Sequence, residues 1–403
     1  MLADDLRFNL AGLDASGLRR KLRPVPAVGP RVTLDGGELL HCASNDYLGL
    51  ATHPALRQAA VEATEQYGTG AGASRLVTGT LPIHQEAETA FAAFKHAEAA
   101  LLMPTGFMAN LAVLTALAGE DDLIVQDKLN HASLIDAAKF SGACVRTFPH
   151  LGYGKAERLL AESDGFRRKF LVTDSVFSMD GDTADLRRCA DLCQQYGAIL
   201  VVDEAHGSGV LGASGAGLIE ESGLTDHPAV MAGVVVSTAS KALGGLGGMV
   251  SASKAVIDTL VNGGRPFVYT TAVPPAQAAT LLAALRVVRD EPQRRTRLRA
   301  LGARVRQELA ALGWELPPAC VPTPIIPLLA GSAEAALSLA GRLHERGILA
   351  VAVRPPTVPP NSARVRITLR SDFSDAEVTR LIEAIGPKGP LQKSSQASGR
   401  TSA

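Results

Sequence analysis

The sequence has no excess of charge of either sign, because its 403 residues include 40 Lys and Arg and 40 Asp and Glu. Without a net field it offers no general attraction to nucleic acid or to an anionic membrane, and we expect neither as a partner. It also lacks the run of about 20 apolar residues that a membrane helix requires, and residues 1–6 carry acids early, unlike a signal peptide. These absences predict a soluble cytoplasmic protein.

Cysteine is scarce, and its spacing is not that of a metal or redox site. None of the five cysteines forms a C-x-x-C pair, and Cys189 and Cys193 are one helical turn apart. This usage predicts free thiols in a reducing compartment and no metal centre.

The sequence also lacks a nucleotide-binding loop. Residues 203–206, Asp-Glu-Ala-His, spell the acidic box of one helicase class, but that interpretation needs a G-x-x-x-x-G-K-[ST] loop elsewhere. The pair Gly154-Lys155 is followed by Ala156 and does not supply one. Residues 68–73 imitate a dinucleotide fingerprint, yet helical sequence precedes them where a strand is required. We therefore interpret 68–73 as a turn. Because the phosphate loop is missing, the sequence also disfavours an ATPase.

Several apolar, strand-like runs end in polar residues. The run 198–202 leads into Asp203 and His206, and 234–236 leads into a glycine-rich loop that contains Lys241. Because ligands collect at the carboxyl ends of strands in open α/β sheets, we expect these three side chains to converge. A lysine held among apolar walls is partly deprotonated and can form a Schiff base. The alternatives are an Asp203 that caps the next segment and a lysine that reaches back to water.

Further segments complete a pattern of cofactor-binding groups. Residues 101–117 run from apolar sequence through a small polar turn into a helical pattern, whose free amides would form a phosphate seat or an ordinary helix cap. His131 follows the strand-like run 123–127, and residues 172–182 end another strand with hydroxyls and acids. Pyridoxal phosphate (PLP) requires four such groups: a phosphate-binding site, an acid for its ring nitrogen, a flat imidazole and a lysine that forms a Schiff base.

With these motifs the chain resembles the α-oxoamine synthases, enzymes of PLP-dependent fold type I. The resemblance covers roughly residues 16–385 and implies a large domain with a mostly parallel sheet and a smaller C-terminal α+β domain. The matching stretches are 44–50, 130–134, 176–181, 202–207 and Lys241 with Thr238 three residues before it.

The resemblance also implies roles for residues. His131 would stack on the cofactor ring, Asp203 would hold its nitrogen, and Lys241 would carry the cofactor covalently. Ser178 and His206 would hydrogen-bond near its phenolic oxygen. The phosphate would be met by Thr105, Gly106, Phe107 and Thr238. The implied catalytic set is therefore Lys241, His131, Asp203 and His206.

Substrate residues follow from the same resemblance. Arg366 would bind the carboxylate of the amino acid, with help from Asn45, and His131 would also contact the substrate. The acyl chain would face Arg354, Thr357 and an N-terminal arginine, either Arg19 or Arg20, since the spacing of 18–24 leaves the register open. Asp174, often a glutamate in relatives, is given no role.

The choice of substrates rests on residues 351–360, whose double proline resembles the members that condense L-alanine with a pimeloyl thioester, from CoA or a carrier protein, in biotin synthesis. The alternatives are a sister synthase that uses glycine or serine with another acyl-CoA, and an inert scaffold. The family also implies a homodimer in which Thr270 or Thr271 reaches the neighbour's phosphate.

The helix and strand patterns predict four regions. Residues 1–50 would form an N-terminal arm and short strands, and 51–280 the large cofactor-binding domain. A single helical stretch over 276–312 would lead into the small domain, 281–386. The polar residues 387–403 would be disordered.

Overall fold

The structure is a computed structural model, and it describes residues 2–388. In chain order the helices are α1 (Leu2–Ala15), α2 (Pro54–Tyr67), α3 (Pro82–Phe94), α4 (Gly106–Leu117), α5 (Ala132–Phe140), α6 (Tyr153–Ala161), α7 (Leu186–Tyr196), α8 (Leu218–Glu221), α9 (Pro228–Met231), α10 (Lys254–Gly263), α11 (Arg265–Val268), α12 (Pro275–Asp290), α13 (Gln293–Ala311), α14 (Ala333–Glu345) and α15 (Asp375–Ile385). The strands are β1 (Arg31–Leu34), β2 (Gly37–His41), β3 (Ala99–Met103), β4 (Leu123–Asp127), β5 (Cys144–Phe148), β6 (Lys169–Asp174), β7 (Ile199–Asp203), β8 (Val234–Thr238), β9 (Gly248–Ala252), β10 (Ile325–Gly331), β11 (Ile348–Leu349), β12 (Val351–Val353) and β13 (Ala363–Thr368).

A seven-stranded sheet in the order β3-β9-β8-β7-β6-β4-β5 forms the centre of the molecule. All pairings from β8 to β5 are parallel, and β9 runs antiparallel to both of its neighbours. The predicted mostly parallel α/β sheet is therefore confirmed. Its carboxyl edge carries Asp174 and Asp203 at the ends of adjacent strands, and Lys241 lies three residues after the end of β8.

The sheet is buried on both faces, which explains why its strands are apolar runs without alternation. Along β7, Leu200 and Val202 pack into one hydrophobic cluster, whereas Val201 between them packs into another. Residues that point to opposite sides of a strand thus face two separate cores. Helices on both faces hold the carboxyl edge rigid, so the side chains that follow the strands have fixed starting points.

The C-terminal region contains a second sheet, β10-β13-β12, which is antiparallel. A third sheet joins the N-terminal strands β1 and β2 to β11, with Ile348 opposite Leu40. The segment before residue 50 is therefore tied to the C-terminal region. The predicted domain limits at 50, 280 and 386 stay a prediction, and the predicted tail lies outside the described residues from 389 onward.

The predicted single helical stretch over 276–312 is interrupted. Helix α12 ends at Asp290, and α13 begins at Gln293 after Pro292. Proline has no amide hydrogen and cannot bond to the carbonyl of Val288, four residues earlier. The guanidinium of Arg295 donates to that carbonyl instead. The break is therefore a consequence of Pro292, and a side chain satisfies the freed acceptor.

His150 connects two loops at the carboxyl edge of the large sheet. Its Nδ1 lies 3.0 Å from Asp127 Oδ1 and its Nε2 lies 2.8 Å from Asp182 Oδ2. The ring packs edge-on against Phe177 at 4.4 Å between centroids. Burial lowers the pKa of this imidazole, but the two carboxylates outweigh burial and raise it from 6.5 to about 9. The protonated ring therefore holds the ends of β4 and of the loop after β6 together.

We expect His150→Gln to lower the free energy of unfolding by about 2 kcal/mol at pH 6, since two charge-assisted hydrogen bonds are lost. A pKa raised in the folded state stabilises fully below its ordinary value of 6.5 and stops doing so as pH rises through about 9. Chemical denaturation from pH 6 to 10 should show the gap between wild type and variant closing over that interval. A difference in unfolding free energy that does not change with pH would refute the role of protonated His150 between Asp127 and Asp182.

Candidate active site

The amino end of α4 forms an anion seat. Thr105 caps the helix by accepting from the amide of Met108 at 3.2 Å, and the amides of Gly106 and Phe107 have no acceptor within the helix. A Cβ on Gly106 would lie 3.4 Å from Thr238 Cβ, an ordinary van der Waals contact, so the helix start lies directly beside the end of β8. The structure thus brings Thr105, Gly106 and Thr238 together. The side chain of Phe107 is 44% exposed, so its amide is what this residue offers to an anion.

Lys241 lies next to a neutral imidazole. Its Nζ is 2.8 Å from Nε2 of His206. Burial lowers the pKa of Lys241 to about 8, against the opposing effect of Asp203 and Asp174. Burial together with the charge of Lys241 lowers the pKa of His206 well below 6.5. With a pKa of about 8, about a tenth of Lys241 is the uncharged, nucleophilic amine at pH 7, far more than for an ordinary lysine.

Tyr47, a residue of the matching stretch 44–50 to which the sequence assigned no role, links His206 to the predicted substrate residues. Its hydroxyl lies 2.7 Å from His206 Nδ1 and 3.1 Å from Asn45 Oδ1, and it accepts from Arg366 Nη2 at 3.1 Å. Tyr47 is fully buried, so water does not replace these bonds. The result is a continuous hydrogen-bonded chain from Lys241 to Arg366.

Arg366 lies on β13 and has no acidic partner among residues 2–388. Its Nε donates to the carbonyl of Ser178 at 2.6 Å and its Nη1 to Asn45 Oδ1 at 3.0 Å. Arg364, two residues earlier on the same face, pairs with Asp180. A guanidinium that is only 9% exposed and unpaired is suited to binding a carboxylate from a ligand. The bond to Ser178 places that loop beside Arg366.

Asp203 is a buried carboxylate without a cationic partner in the described part of the chain. Its Oδ1 accepts from the amide of Ala205 at 2.8 Å. Asp203 therefore caps the next segment, which is the alternative role that the sequence left open. Its Oδ2 accepts from Asn110 Nδ2 at 2.7 Å. It is 5% exposed, and a buried carboxylate of this kind favours a protonated ring nitrogen placed against it. Both the capping role and a ligand-binding role are thus available to Asp203.

His131 caps α5 and is held by Asp174 and Ser133, to which the sequence assigned no role. Asp174 Oδ2 accepts from its amide at 2.7 Å, and Ser133 Oγ lies 2.7 Å from its Nδ1. Burial raises the pKa of Asp174 well above its ordinary value, and the nearby charge of Asp203 adds to this. Asp174, to which the sequence gave no role, therefore fixes the loop that carries His131.

The N-terminal arginines differ in their contacts. Arg20 Nη2 donates to Thr357 Oγ1 at 3.1 Å, and Arg354 donates to the carbonyl of Gly17. Arg19 instead pairs with Asp14 in the arm itself. Of the two candidates left open by the sequence, Arg20 is the one that lies with Arg354 and Thr357.

Thr270 and Thr271 are not joined to the anion seat by any hydrogen bond within residues 2–388. Thr271 forms an isolated antiparallel bridge with Ser74, and the next residue, Ala272, donates to the carbonyl of Ala73 at 3.0 Å. The expectation that these threonines serve a neighbouring chain stays a prediction.

The donor set fits PLP. The helix amides and Thr238 suit a phosphate dianion, Asp203 suits a ring nitrogen, and the amine of Lys241 suits an aldehyde. Each of these groups lacks a charged partner in the described part of the chain, so the site is electrostatically incomplete without a ligand. Asn110 could have been found as the one amide side chain within the apolar sequence of α4.

Comparisons with known proteins show the family and the fold of the chain. The family model described as aminotransferase class I and II matches residues 38–385. The 8-amino-7-oxononanoate synthase of Anaeromyxobacter dehalogenans is 46% identical, over 96% of this chain and 98% of that protein. Similar structures include serine palmitoyltransferase from S. paucimobilis with PLP-myriocin bound (27% identity, TM-score 0.88, 95% of this chain and 96% of that chain). The 8-amino-7-oxononanoate synthase of Francisella tularensis is 30% identical with a TM-score of 0.74, over 86% and 96% of the two chains. The fold-type-I architecture implied by the resemblance is therefore confirmed.

Proposed function

This chain belongs to the aminotransferase class I and II family and, within it, to the 8-amino-7-oxononanoate synthases, and we propose that it catalyses their reaction in biotin synthesis. L-Alanine and a pimeloyl thioester give 8-amino-7-oxononanoate, CO₂ and the free thiol. One C–C bond forms between the alanine Cα and the thioester carbonyl carbon, while the C–S bond and the bond from Cα to the alanine carboxylate break.

The observation that carries the proposal is the unpaired Arg366 at the end of a chain that leads through Tyr47 and His206 to Lys241. A carboxylate bound to Arg366 and Asn45 would hold the amino acid at a fixed distance from the amine of Lys241. Holding reactants in one orientation supplies a large part of the rate increase of such reactions.

The cofactor is PLP. Thr105, Gly106, Phe107 and Thr238 would hold its phosphate, Asp203 its ring nitrogen, and Lys241 its aldehyde carbon. We assign His131 to the face of the ring and Ser178 and His206 to its phenolic oxygen. When bound, PLP supplies an electron sink that makes the Cα proton and the carboxylate of alanine removable.

Proton transfer falls to Lys241. With its pKa lowered to about 8, the amine can accept the Cα proton of alanine and later return a proton to the product. His206, kept neutral by burial, can accept a hydrogen bond from Lys241 at Nε2, while its Nδ1 is hydrogen-bonded to the hydroxyl of Tyr47. The residues around the amine therefore support both directions of proton transfer.

The acyl donor would bind beside Arg20, Arg354 and Thr357. The free carboxylate of a pimeloyl chain is an anion at the end opposite to the thioester, and an arginine binds it with two parallel hydrogen bonds. The same thioester chemistry applies whether CoA or a carrier protein holds the chain.

The active form is proposed to be a cytoplasmic homodimer. Helix α1 buries no residue within the chain, and its apolar side chains include Leu2 and Phe8, which are 73% and 80% exposed. Burying such a face against a second copy would remove it from water. All five cysteines are free thiols, in keeping with a reducing compartment.

A sister activity is the second candidate, because serine palmitoyltransferase has the higher TM-score of the two structures compared. Thiol release separates the two: the purified PLP-loaded protein is mixed with alanine and pimeloyl-CoA, with serine and palmitoyl-CoA, or with glycine and acetyl-CoA. We expect alanine with pimeloyl-CoA to give the highest kcat/KM, together with one CO₂ for each thiol. A faster reaction with either other pair would refute the substrate assignment.

Two arginine variants should separate the substrates. Arg354→Ala is expected to raise KM for pimeloyl-CoA about tenfold and leave KM for alanine unchanged, since a charge-assisted contact to one substrate is lost. Arg366→Ala is expected to raise KM for alanine and leave KM for pimeloyl-CoA unchanged. The control is Arg342→Ala on α14, where the guanidinium contacts only Ser338 among the described hydrogen bonds. If both KM values rise together in both variants, the division of the site is wrong.

A further inference from the structure

A buried amide connects the carboxylate of Asp203 to the imidazole of His131. Asn110 Nδ2 lies 2.7 Å from Asp203 Oδ2 and 2.8 Å from Ser133 Oγ, and Ser133 Oγ lies 2.7 Å from His131 Nδ1. Asn110 and Ser133 are 1% and 0% exposed. Water therefore does not compete for these bonds, and the chain of contacts joins two elements of the site that lie on different helices and strands.

The directions of these hydrogen bonds follow from the groups at the two ends of the series, Asp203 and His131. An ionised carboxylate can only accept, so it takes one Nδ2 hydrogen of Asn110 and fixes the orientation of the amide. The second Nδ2 hydrogen goes to Ser133 Oγ, whose own hydrogen is then available for donation to His131 Nδ1. The backbone amide of Ser133 donates to the same nitrogen at 3.3 Å. A nitrogen that accepts twice carries no proton, so the neutral ring of His131 is protonated at Nε2.

We propose that Asn110 is a positioning residue that transmits the ionised state of Asp203 through Ser133 to His131, so that His131 offers a hydrogen-bond donor at Nε2 to whatever binds against it. The inference rests on the proposed function, in which His131 lies on the face of the cofactor ring. It adds that the acid at the ring nitrogen and the imidazole on the ring face are one coupled unit.

The position of Asn110 in the fold supports a functional role over a structural one. Its Oδ1 is buried and has no partner within residues 2–388. Asn110 lies between Ala109 and Leu111 in a helix whose only other polar side chain is Thr115. An unsatisfied buried carbonyl destabilises the folded state. Packing alone would favour an apolar side chain here, whereas the donor to Asp203 requires the amide.

The test uses Asn110→Leu and Ser133→Ala, with Ser133→Thr as the conservative rescue. Thr115→Val is the control, because Thr115 lies on the same helix and bonds only to the carbonyl of Leu111 among the described contacts. Diethyl pyrocarbonate acylates an imidazole nitrogen that has a free lone pair, and the extent at His131 is read by peptide mass mapping of the cofactor-free protein. The kinetic readout is kcat and KM of the loaded enzyme with alanine and pimeloyl-CoA.

In the wild type the only lone pair of His131 is covered by two donors, so acylation should be slow. Asn110→Leu and Ser133→Ala should each speed it about tenfold and lower kcat about tenfold, with KM changed less than kcat. Ser133→Thr and Thr115→Val should match the wild type in both readouts.

Unchanged acylation in both Asn110→Leu and Ser133→Ala would overturn the proposal, as would faster acylation with an unchanged kcat. If Asn110→Leu does not fold, Ser133→Ala against Ser133→Thr decides by the same criteria. A wild type without synthase activity would refute the proposed function instead, and the acylation rates would still report whether the hydrogen-bond chain sets the protonation of His131.

Discussion

The site depends on lowering the pKa of Lys241 to about 8, which makes its amine uncharged far more often than that of an exposed lysine. Its Nζ is 2.8 Å from a histidine whose pKa is itself lowered by burial, so the amine has a neutral neighbour rather than a carboxylate. With a carboxylate at that distance the amine would stay a protonated ammonium, which is a poor nucleophile. The parallel sheet makes this arrangement possible, because the end of β8 delivers the lysine and the end of β7 delivers the histidine to one edge.

Around this amine the structure leaves selected charges without partners. Asp203 has no cation and Arg366 has no anion among residues 2–388, while neighbouring charges are paired, as in Arg364 with Asp180 and Lys95 with Glu204. Other buried arginines also lack an acid, but Arg295 donates to the backbone carbonyls of Val288 and Ala213. Arg366 and Asp203 differ because they border the lysine. Their missing partners correspond to an amino-acid carboxylate and a protonated ring nitrogen, which the substrate and cofactor would supply.

The sequence predicted the parts of the site that follow local rules. An acid, a histidine or a lysine that follows an apolar run is visible in the sequence, and this local pattern predicts Asp203, His206 and Lys241 as site residues. The mostly parallel sheet followed from the same runs, and the resemblance pointed to Arg366 and the phosphate residues. The break at Pro292 could also have been predicted, since proline cannot continue the helix through its own amide.

The remaining contacts could not be predicted because they join residues that are far apart in the chain. Asn110 meets Asp203 across 93 positions, and Tyr47 meets His206 across 159. Nothing local distinguishes Arg20 from Arg19 either, and only the tertiary contact of Arg20 with Thr357 separates them. The amino-acid sequence shows which chemical groups are present, whereas the tertiary structure determines which of them are hydrogen-bonded to each other.

The central claim is that Lys241 holds the cofactor covalently, and reduction tests it most directly. The PLP-loaded protein is treated with sodium borohydride, digested and analysed by mass spectrometry, with Lys241→Ala treated in parallel. We predict the mass of the reduced phosphopyridoxyl group on the peptide that contains Lys241, and no stable adduct in the variant. An adduct on another lysine, or none on the wild type, would contradict the account.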